Sequence, residues 1–324
     1  MSGTVVVTSR SFSSGGVDLV ARLEGEGLTV VRASTTHEPE AIGPVLRDAV
    51  AWIAGTAPVT ARHLEAAPAL RVVARYGTGV DAVDLTAAAR AGVVVTNTPG
   101  ANSEAVAEHA IALLFAVLRG VPAGDRRVRH GDWSVLRGRQ LAGSVAGVVG
   151  FGRIGRGVAR RLLALGCEVL VHDPYVPDDE VLATGAKPAT LEQLCASAQV
   201  VSLHAPGGRT VVDDSWLSRS PAGQVLVNTA RADLVDEVAV ARAVGDGRLA
   251  GYAADTLATE AGADHVSPLL ADDLADRVVV TPHLGAQTRE AVDTMGALAV
   301  ADVLAVLAGR EPAHPVTPPP GALA

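Results

Sequence analysis

The chain alternates short runs of β-branched residues with longer segments rich in alanine and leucine, and the runs form two series. The first series has runs at residues 4–9, 28–33, 51–56, 71–76 and 93–98; the second has runs at 144–150, 167–173, 198–205, 223–230, 249–255 and 276–283. Strands that alternate with helical segments predict parallel sheets joined by crossover helices. We therefore expect an α/β protein with two doubly wound parallel sheets.

Two longer segments have apolar residues at intervals of three and four, which predicts packed helices. One, at residues 103–120, separates the two series, and the other, at 288–309, follows the last strand. The proline-rich tail after them is predicted to be an extended surface segment without regular structure.

The size and composition of the chain limit the classes of protein it can belong to. Its 324 residues predict two domains, and its 48% hydrophobic and 19% charged residues exclude a disordered chain. The formal charge of −8 argues against a nucleic-acid partner, and the arginine-rich stretch at 126–129 is too short to change that. We interpret that stretch as a solvated helix face.

Cysteine usage and the N-terminal sequence predict the compartment. Cys167 and Cys195 are too few for a disulfide framework and lack ligand spacing, so we expect buried side chains and no metal site. The N-terminal residues show no secretory signal, and no apolar run is long enough to span a bilayer. A cytoplasmic protein without a membrane partner is the working hypothesis.

A glycine-rich stretch, GFGRIG, joins the first strand of the second series to the helical segment 153–166. Gly150 would permit the tight turn, and Gly152 would let a pyrophosphate approach the backbone. Gly155 would let the helix pack closely on the strand. The helix N-terminus would add free amide groups and a positive dipole end. This context predicts a dinucleotide site.

Asp173 ends the next strand. Its distance along the chain from Gly155 is close to the separation of about 20 residues expected for an acid that binds the adenosine ribose. A carboxylate there repels a 2′-phosphate, and no arginine lies in the stretch 172–179. NAD is therefore favoured over NADP. A simple glycine turn with a capping aspartate is the less favoured alternative.

Charged and imidazole side chains follow the later strands of the second series: His204, Arg231, Glu260 and His283. Ligands of an open α/β sheet lie at these carboxyl ends. Oxidation of a 2-hydroxy acid needs a proton acceptor, which an imidazole supplies near neutral pH. A carboxylate would fix the tautomer and raise the pKa of the imidazole, and an arginine would bind the substrate carboxylate in a fork.

Each of these side chains also has a plainer interpretation. Arg231 and Glu260 could each be a helix cap or a loop charge, but their combination at strand ends favours catalysis. His204 is expected to line the cofactor cleft without transferring protons, and His109 to be a buried, hydrogen-bonded residue. The remaining histidines are interpreted as ordinary surface or core residues: His37, His63, His130, His265 and His314.

Five segments together resemble the D-specific 2-hydroxyacid dehydrogenase family in order and spacing. They lie at residues 75–85, 97–114, 147–159, 227–237 and 278–288, so the resemblance covers nearly the whole chain. It implies that Arg231, Glu260 and His283 are the catalytic set, with Glu260 paired to His283. His283 would then be the general acid/base.

The resemblance also implies the binding residues. The backbone amides around Thr78 and Gly79 would hold the substrate carboxylate, in a loop with Tyr76 and Gly77. Besides the three glycines, the residues expected to contact NAD are Arg153, Ile154, Asp173, His204, Pro206, Thr229, Ala230, Arg231, Asp255, His283 and Gly285.

The family architecture implies a Rossmann NAD-binding domain at residues 101–284, inserted into a flavodoxin-like substrate domain. The substrate domain would comprise residues 1–100 and 285–324, and a cleft between the domains would close on the ligand. Residues at about 103–140, including Trp133, would form a dimerisation arm, so a homodimer is expected.

The sequence departs from the family pattern at several positions. Ala232 follows the arginine where the family often has glycine, and Ala261 follows the glutamate where it often has proline. The closest-looking branch, the 3-phosphoglycerate dehydrogenases, has an Arg-Ser pair where this chain has Ala54 and Gly55. That difference argues against a phosphorylated substrate unless Arg75 compensates. Glu260 argues against the formate dehydrogenase branch.

The leading hypothesis is thus an NAD-dependent oxidoreductase that interconverts a 2-oxo acid and a D-2-hydroxy acid. The alternative is a 3-phosphoglycerate dehydrogenase, or an enzyme for another phosphorylated or phosphonate acid. An NAD-responsive corepressor is disfavoured. Such proteins add disordered tails, and this sequence shows no such tail beyond its last few residues. The small polar residues expected in the pocket leave the acid's side chain open: Ser11, Ser13, Gly55 and Thr56. Tyr76 is expected to pack beneath its loop.

Overall fold

The structure is a computed structural model that describes residues 2–261 and 266–318, except the side chains of residues 260 and 261. The chain divides into two compact units. The first unit comprises Met1–Asn102 and Ala286–Ala324, and the second comprises Ser103–Gly285. Each unit contains one parallel sheet with helices on both faces, so the predicted α/β class is confirmed.

The described strands occur where β-branched runs predict them, with one addition. In chain order they are β1 (Gly3–Val7), β2 (Leu28–Arg32), β3 (Ala49–Ala54), β4 (Val72–Arg75), β5 (Val94–Thr96), β6 (Val145–Val149), β7 (Glu168–His172), β8 (Lys187–Pro188), β9 (Val200–Leu203), β10 (Gln224–Asn228), β11 (Leu249–Ala254) and β12 (Val278–Val280).

The described α-helices connect these strands. They are α1 (Leu19–Gly25), α2 (Pro39–Leu46), α3 (Ala61–Glu65), α4 (Leu85–Arg90), α5 (Ser103–Arg119), α6 (Val121–Arg129), α7 (Arg153–Ala164), α8 (Asp178–Leu182), α9 (Leu191–Ser197), α10 (Asp214–Arg219), α11 (Glu237–Gly245) and α12 (Arg289–Leu307). The two long segments predicted as helices correspond to α5 and α12. Short 3-10 helices lie at Ala232–Leu234, Ala258–Ala261, Pro268–Leu270 and Asp272–Leu274.

The sheet of the first unit has the strand order β2-β1-β3-β4-β5, which is the flavodoxin-like doubly wound order. Alternate side chains of a strand face opposite sides of the sheet. Val5 and Val7 therefore pack with α1 and α12, whereas Val6 packs on the other face with α2, α3 and α4. Because all five strands are parallel, their carboxyl ends lie along one edge of the sheet.

The sheet of the second unit has the order β12-β11-β10-β9-β6-β7-β8. Helices α5 and α7 cover one face with Val148 and Val225, and α9, α10 and α11 cover the other with Val201 and Tyr252. The order reverses between β6 and β9, and ligands of doubly wound sheets bind at such a switch point. Both cysteines are buried, as predicted.

The second sheet has seven strands, one more than the sequence predicts. The additional strand, β8, has only two residues and pairs with β7 at the edge of the sheet. A two-residue strand has no periodic pattern, and its Pro188 lacks the amide that a central strand would need. Sequence patterns therefore could not detect it.

The tail is extended, as predicted, but part of it is paired. Pro315 forms an antiparallel bridge with Thr96, and the amide of Val316 donates to Val95 O at 2.8 Å. Proline is tolerated there because the tail lies along the edge of the first sheet. The composition alone predicted no pairing for these residues.

Among the described helices, none is by itself long and apolar enough to cross a bilayer. Only α5 and α6 taken together, with a bend of 59° between them, meet that criterion by length and composition.

Candidate active site

The glycine loop joins β6 to the N-terminus of α7 in a conformation that requires two of its glycines. Gly150 has φ +90°, and a Cβ there would lie 2.6 Å from the backbone of His204. A Cβ on Gly155 would collide with Gly150 O. A Cβ on Gly152, the N-cap of α7, would meet no atom within 4 Å. The loop thus leaves the N-terminus of α7 open to a ligand.

Asp173 lies directly after β7, and the backbone holds its carboxylate beside the glycine loop. Oδ2 accepts a hydrogen bond from the amide of Phe151 at 2.7 Å, and Oδ1 accepts one from the amide of Tyr175 at 2.9 Å. Each carboxylate oxygen can accept a second hydrogen bond. Asp173 is therefore positioned and can still bind hydroxyl groups.

Three adjacent strands of the second sheet end in buried polar atoms that have no hydrogen-bond partner within the described parts of the chain. These atoms are His204 Nδ1 after β9, Thr229 Oγ1 after β10 and Thr256 Oγ1 after β11. A buried polar group without a partner costs about 1–3 kcal/mol. Their grouping at one sheet edge indicates a place for a polar ligand. Sequence patterns did not identify Thr256, because a threonine after a strand is common.

His204 is suited to line this edge without exchanging protons. Its Nε2 lies 2.8 Å from Ser202 Oγ, and burial lowers its pKa to about 3. The imidazole is therefore neutral near pH 7 and cannot serve as a proton acceptor that titrates there.

The turn after β10 presents Arg231 at the same edge. Buried Asn228 holds the turn: its Oδ1 accepts from the amide of Ala230 at 3.0 Å, and its Nδ2 donates to Arg231 O at 2.8 Å. The Arg231 side chain donates from Nη1 to Ala230 O at 2.8 Å. Ala232, where the family often has glycine, begins the short helix Ala232–Leu234. The substitution leaves the turn regular.

Asp255, after β11, organises the segment that follows β12. This carboxylate is 3% exposed, and it accepts the amides of Leu284 and Gly285, each at 2.7 Å. It also accepts a hydrogen bond from the hydroxyl of Thr281. The Asp255 carboxylate therefore binds the backbone after His283 and the side chain of Thr281 before it.

His283 has a backbone conformation that only a few residue types adopt readily. Its φ is +55°, and its amide lies 3.1 Å from Asp255 O and 3.0 Å from Thr281 O. Such a conformation costs of order 1–3 kcal/mol and persists only where the surroundings impose it. Strain of this kind is often found at functional sites, and here it occurs at the predicted proton carrier.

His109, on α5, completes the network around Asp255. Its Nε2 lies 2.9 Å from Thr281 Oγ1 and 3.2 Å from Asp255 Oδ1. Burial raises the pKa of Asp255, but hydrogen bonds from His109, Thr281 and the two following amides together lower it below its usual value. The carboxylate is thus charged near neutral pH. The sequence predicted a buried, hydrogen-bonded His109; the hydrogen bond is confirmed, but the side chain is 19% exposed.

The predicted partner of His283, Glu260, has its backbone in the 3-10 helix Ala258–Ala261. Its side chain lies outside the described part of the chain, as does His265. Glu237, on α11, binds both flanks of this segment. It accepts from the amide of Ala258 at 2.8 Å and from the Ser267 hydroxyl at 2.5 Å. The carboxylate of Glu237 thereby fixes the two ends of the segment that carries Glu260.

In the first unit, the loop after β4 turns two backbone amides in one direction. Gly77 O accepts from the amide of Thr98 at 3.1 Å, and Thr78 O accepts from Asn97 Nδ2 at 2.7 Å. The N–H of a trans peptide points opposite to its C=O. The amides of Thr78 and Gly79 therefore point away from Asn97 and Thr98. Successive amides of this kind form a concave site for an anion.

Tyr76 packs beneath this loop, as the sequence analysis expected. Its side chain is 6% exposed, its hydroxyl donates to Val292 O at 2.8 Å, and its ring meets Phe12 edge-on. Only the backbone of Tyr76 is therefore available to a ligand.

The phosphoglycerate branch carries its Arg-Ser pair where this chain has Ala54, the buried last residue of β3, and Gly55. A Cβ on Gly55 would lie 2.7 Å from Thr8 O, and the Gly55 amide donates to Thr8 Oγ1 at 3.2 Å. Arg75 is 8% exposed, and its Nη1 donates to Tyr76 O within its own loop. Its guanidinium therefore hydrogen-bonds the backbone of the loop that begins at Tyr76.

The described residues contain no group of three or more histidine, cysteine, aspartate or glutamate side chains that could hold a metal ion.

Comparison with known proteins identifies the family. A family model for "D-isomer specific 2-hydroxyacid dehydrogenase, NAD binding domain" matches residues 111–285. The D-3-phosphoglycerate dehydrogenase of Mycobacterium bovis is 42% identical over 257 residues, which are 78% of this chain and 48% of the relative. That of Archaeoglobus fulgidus is 37% identical over 256 residues, with the same coverage of 78% and 48%.

A solved structure, the TT0316 protein from Thermus thermophilus, is 35% identical with a TM-score of 0.85. The match covers 97% of this chain and 100% of that one. The chain spans about half the length of the curated relatives it matches. The predicted resemblance, including the phosphoglycerate dehydrogenase-like branch, is confirmed. The chain belongs to the D-isomer specific 2-hydroxyacid dehydrogenase family.

Proposed function

We propose that the protein is an NAD-dependent oxidoreductase that interconverts a 2-oxo acid and a D-2-hydroxy acid. The observation that carries this proposal is the strained backbone of His283, which buried Asp255 holds at the same sheet edge as the glycine loop. An imidazole held in place beside a dinucleotide site suits proton transfer coupled to hydride transfer.

The chain's own groups fit NAD. The open N-terminus of α7 would hold the pyrophosphate with Arg153 and Ile154, and Asp173 would accept hydrogen bonds from the adenosine ribose. The unpartnered atoms of His204, Thr229 and Thr256 would take polar groups of the cofactor. The other proposed contacts are Pro206, Ala230, Arg231, Asp255, His283 and Gly285. NAD, when bound, supplies the hydride acceptor.

Three side chains would carry the remaining chemistry. Arg231 would bind the substrate carboxylate in a fork and polarise the 2-oxo group. His283 would accept the hydroxyl proton during oxidation and return it during reduction. Glu260 would orient the imidazole and stabilise its cation. Glu237 would support Glu260 by fixing both flanks of its segment.

The substrate carboxylate would bind the amides of Thr78 and Gly79, which are turned away from the groups that fix the loop. We propose an unphosphorylated substrate, because buried Ala54 stands where the phosphoglycerate branch has the arginine, and Gly55 has no room for the side chain of the serine. Arg75 donates to its own loop, which supports the same choice. The identity to D-3-phosphoglycerate dehydrogenases favours the alternative, a phosphorylated 2-hydroxy acid.

We also propose that a second copy of the chain covers the segment after α6. Trp133 is 79% exposed and Val135 is 93% exposed. Large apolar side chains exposed next to each other are typical of protein interfaces. The homodimer and the cytoplasmic location remain predictions.

The test is NADH oxidation with a panel of 2-oxo acids: glyoxylate, hydroxypyruvate, phenylpyruvate, 2-oxoglutarate and phosphohydroxypyruvate. We expect turnover with one or more unphosphorylated acids. Turnover with phosphohydroxypyruvate alone would establish the alternative. A protein that binds NADH but reduces none of the acids would contradict the proposed activity.

Cofactor choice provides a second prediction. Asp173→Ala should weaken NADH binding and improve the relative use of NADPH, because the carboxylate that repels a 2′-phosphate is removed. A loss of about 1.5–3 kcal/mol in NADH binding is expected for hydrogen bonds to a charged group. The measurement is kcat/KM with each cofactor. Asp179→Ala, an exposed acid on α8, is the matched control. An unchanged NADH/NADPH ratio in Asp173→Ala would show that the acid is misassigned.

A further inference from the structure

A buried acid in the C-terminal half of α12 binds the C-terminal tail. Asp302 is 1% exposed; its Oδ1 accepts from the amide of Ala313 at 2.8 Å, and its Oδ2 lies 3.0 Å from His314 Nδ1. A buried carboxylate is costly unless it is paired and hydrogen-bonded. Both partners of Asp302 belong to the tail, so this acid anchors the tail to the first unit.

The anchored tail continues to the edge of the first sheet. His314 O accepts from the amide of Asn97 at 3.3 Å, the next residue bridges to Thr96, and Val316 binds Val95. Asn97 is the first residue after β5. The tail thus binds the backbone of Asn97 and leaves its side chain to make a separate contact.

The side chain of Asn97 connects this anchor to the loop after β4. Asn97 Nδ2 donates to Thr78 O at 2.7 Å, and the adjacent amide of Thr98 donates to Gly77 O at 3.1 Å. These two bonds fix the peptide planes on both sides of Thr78. The continuous path runs from Asp302 through His314 and Asn97 to the loop.

We propose that Asp302, His314 and Asn97 are positioning residues that orient the amides of Thr78 and Gly79 for the carboxylate of the substrate. The proposal rests on the proposed function, because it assigns a task to the same substrate loop. The tail holds Asn97, Asn97 holds Thr78 O, and the amides consequently face the anion. Loss of the anchor should weaken binding of the 2-oxo acid and leave NADH binding intact.

The first experiment compares two replacements of one side chain. Asn carries an amide nitrogen near the position of the imidazole Nδ1, whereas Leu has no donor. His314→Leu should raise KM for the 2-oxo acid about tenfold, the equivalent of one lost hydrogen bond of about 1.4 kcal/mol. KM for NADH and kcat should stay close to wild type. His314→Asn should restore most of the wild-type KM.

A double-mutant cycle tests whether the path is continuous. Asn97→Ala should raise KM for the 2-oxo acid as His314→Leu does. If both act through the same loop, the double variant should be little worse than either single variant. Additive effects on KM, equal effects on both substrates, or an unchanged KM in a folded His314→Leu protein would overturn the proposal.

Amide hydrogen exchange separates this proposal from the proposed activity, because it needs no turnover. The amide of Thr98 reports the bond to Gly77 O, and the amide of Val73, within β4, reports the sheet itself. In His314→Leu, Thr98 should exchange about tenfold faster while Val73 is unchanged. Unchanged exchange at Thr98 would refute the positioning role even in a protein that reduces no 2-oxo acid.

Discussion

His283→Ala is expected to lower kcat for reduction of the 2-oxo acid by about 10²–10⁴-fold, the usual contribution of a general acid/base. His204, at the same sheet edge, cannot replace it, because burial lowers its pKa to about 3 and keeps the imidazole neutral. NADH binding should fall far less than kcat, since the glycine loop and Asp173 are untouched and only one of the proposed cofactor contacts is lost. Steady-state kinetics and NADH fluorescence titration measure the two effects.

The backbone of His283 requires a matched variant, because φ +55° is unfavourable for alanine. Asparagine adopts this conformation more readily, so His283→Asn removes the titrating ring with less strain. Both variants should lose the same fraction of kcat. His130→Ala, at the exposed end of α6, controls for the loss of a histidine elsewhere. Near-normal turnover in His283→Asn would remove the imidazole from the proposed mechanism.

The class of fold could be predicted because each sheet is buried on both faces. Strands covered on both sides need continuous runs of β-branched residues, and these runs are visible in the sequence. The glycine loop was also visible, since Gly150 and Gly155 have geometries that exclude a Cβ. In both cases a local structural requirement restricts the residue types, so it can be recognised in a short stretch of sequence.

Contacts between distant segments do not produce a recognisable pattern in a short stretch of sequence. Asp302 and His314 are an ordinary acid and an ordinary histidine in the sequence, and only folding makes them an anchor for the tail. Glu237 is likewise an ordinary acid in the first turn of α11 until folding brings it to both flanks of the Glu260 segment. Such roles depend on tertiary pairing, which periodicity does not encode.

The substrate is the part of the function that sequence patterns predict least well. The replacement of the Arg-Ser pair by Ala54 and Gly55 was visible in the sequence, but the tight packing at Gly55 was not. Gly55 lies against the backbone of Thr8, whose hydroxyl also accepts a hydrogen bond from Trp52 Nε1 at 3.0 Å. These contacts join the residues that follow β1 and β3. Loop packing therefore carries information about the substrate that residue identity alone does not.

The second large effect is expected at Asp255. Asp255→Ala removes the carboxylate that accepts the amides of Leu284 and Gly285 and leaves both amides without that partner. Misplacement of a catalytic group by about 1 Å can cost about 10²-fold in rate, so we expect kcat to fall by that factor. The free energy of unfolding should also fall, by about 1–3 kcal/mol for each buried group left unpaired.

The combination of effects distinguishes Asp255 from His283. Asp255→Ala should lose both kcat and stability, whereas His283→Asn should lose kcat and keep the wild-type free energy of unfolding in urea. Asp255→Asn retains one oxygen acceptor, so its free energy of unfolding should lie between those of Asp255→Ala and His283→Asn. Its amide can satisfy one of the backbone donors but cannot serve both with equal strength. If Asp255→Ala were as stable as the wild type, the carboxylate would not be holding the His283 turn. The strained φ of His283 would then need another cause.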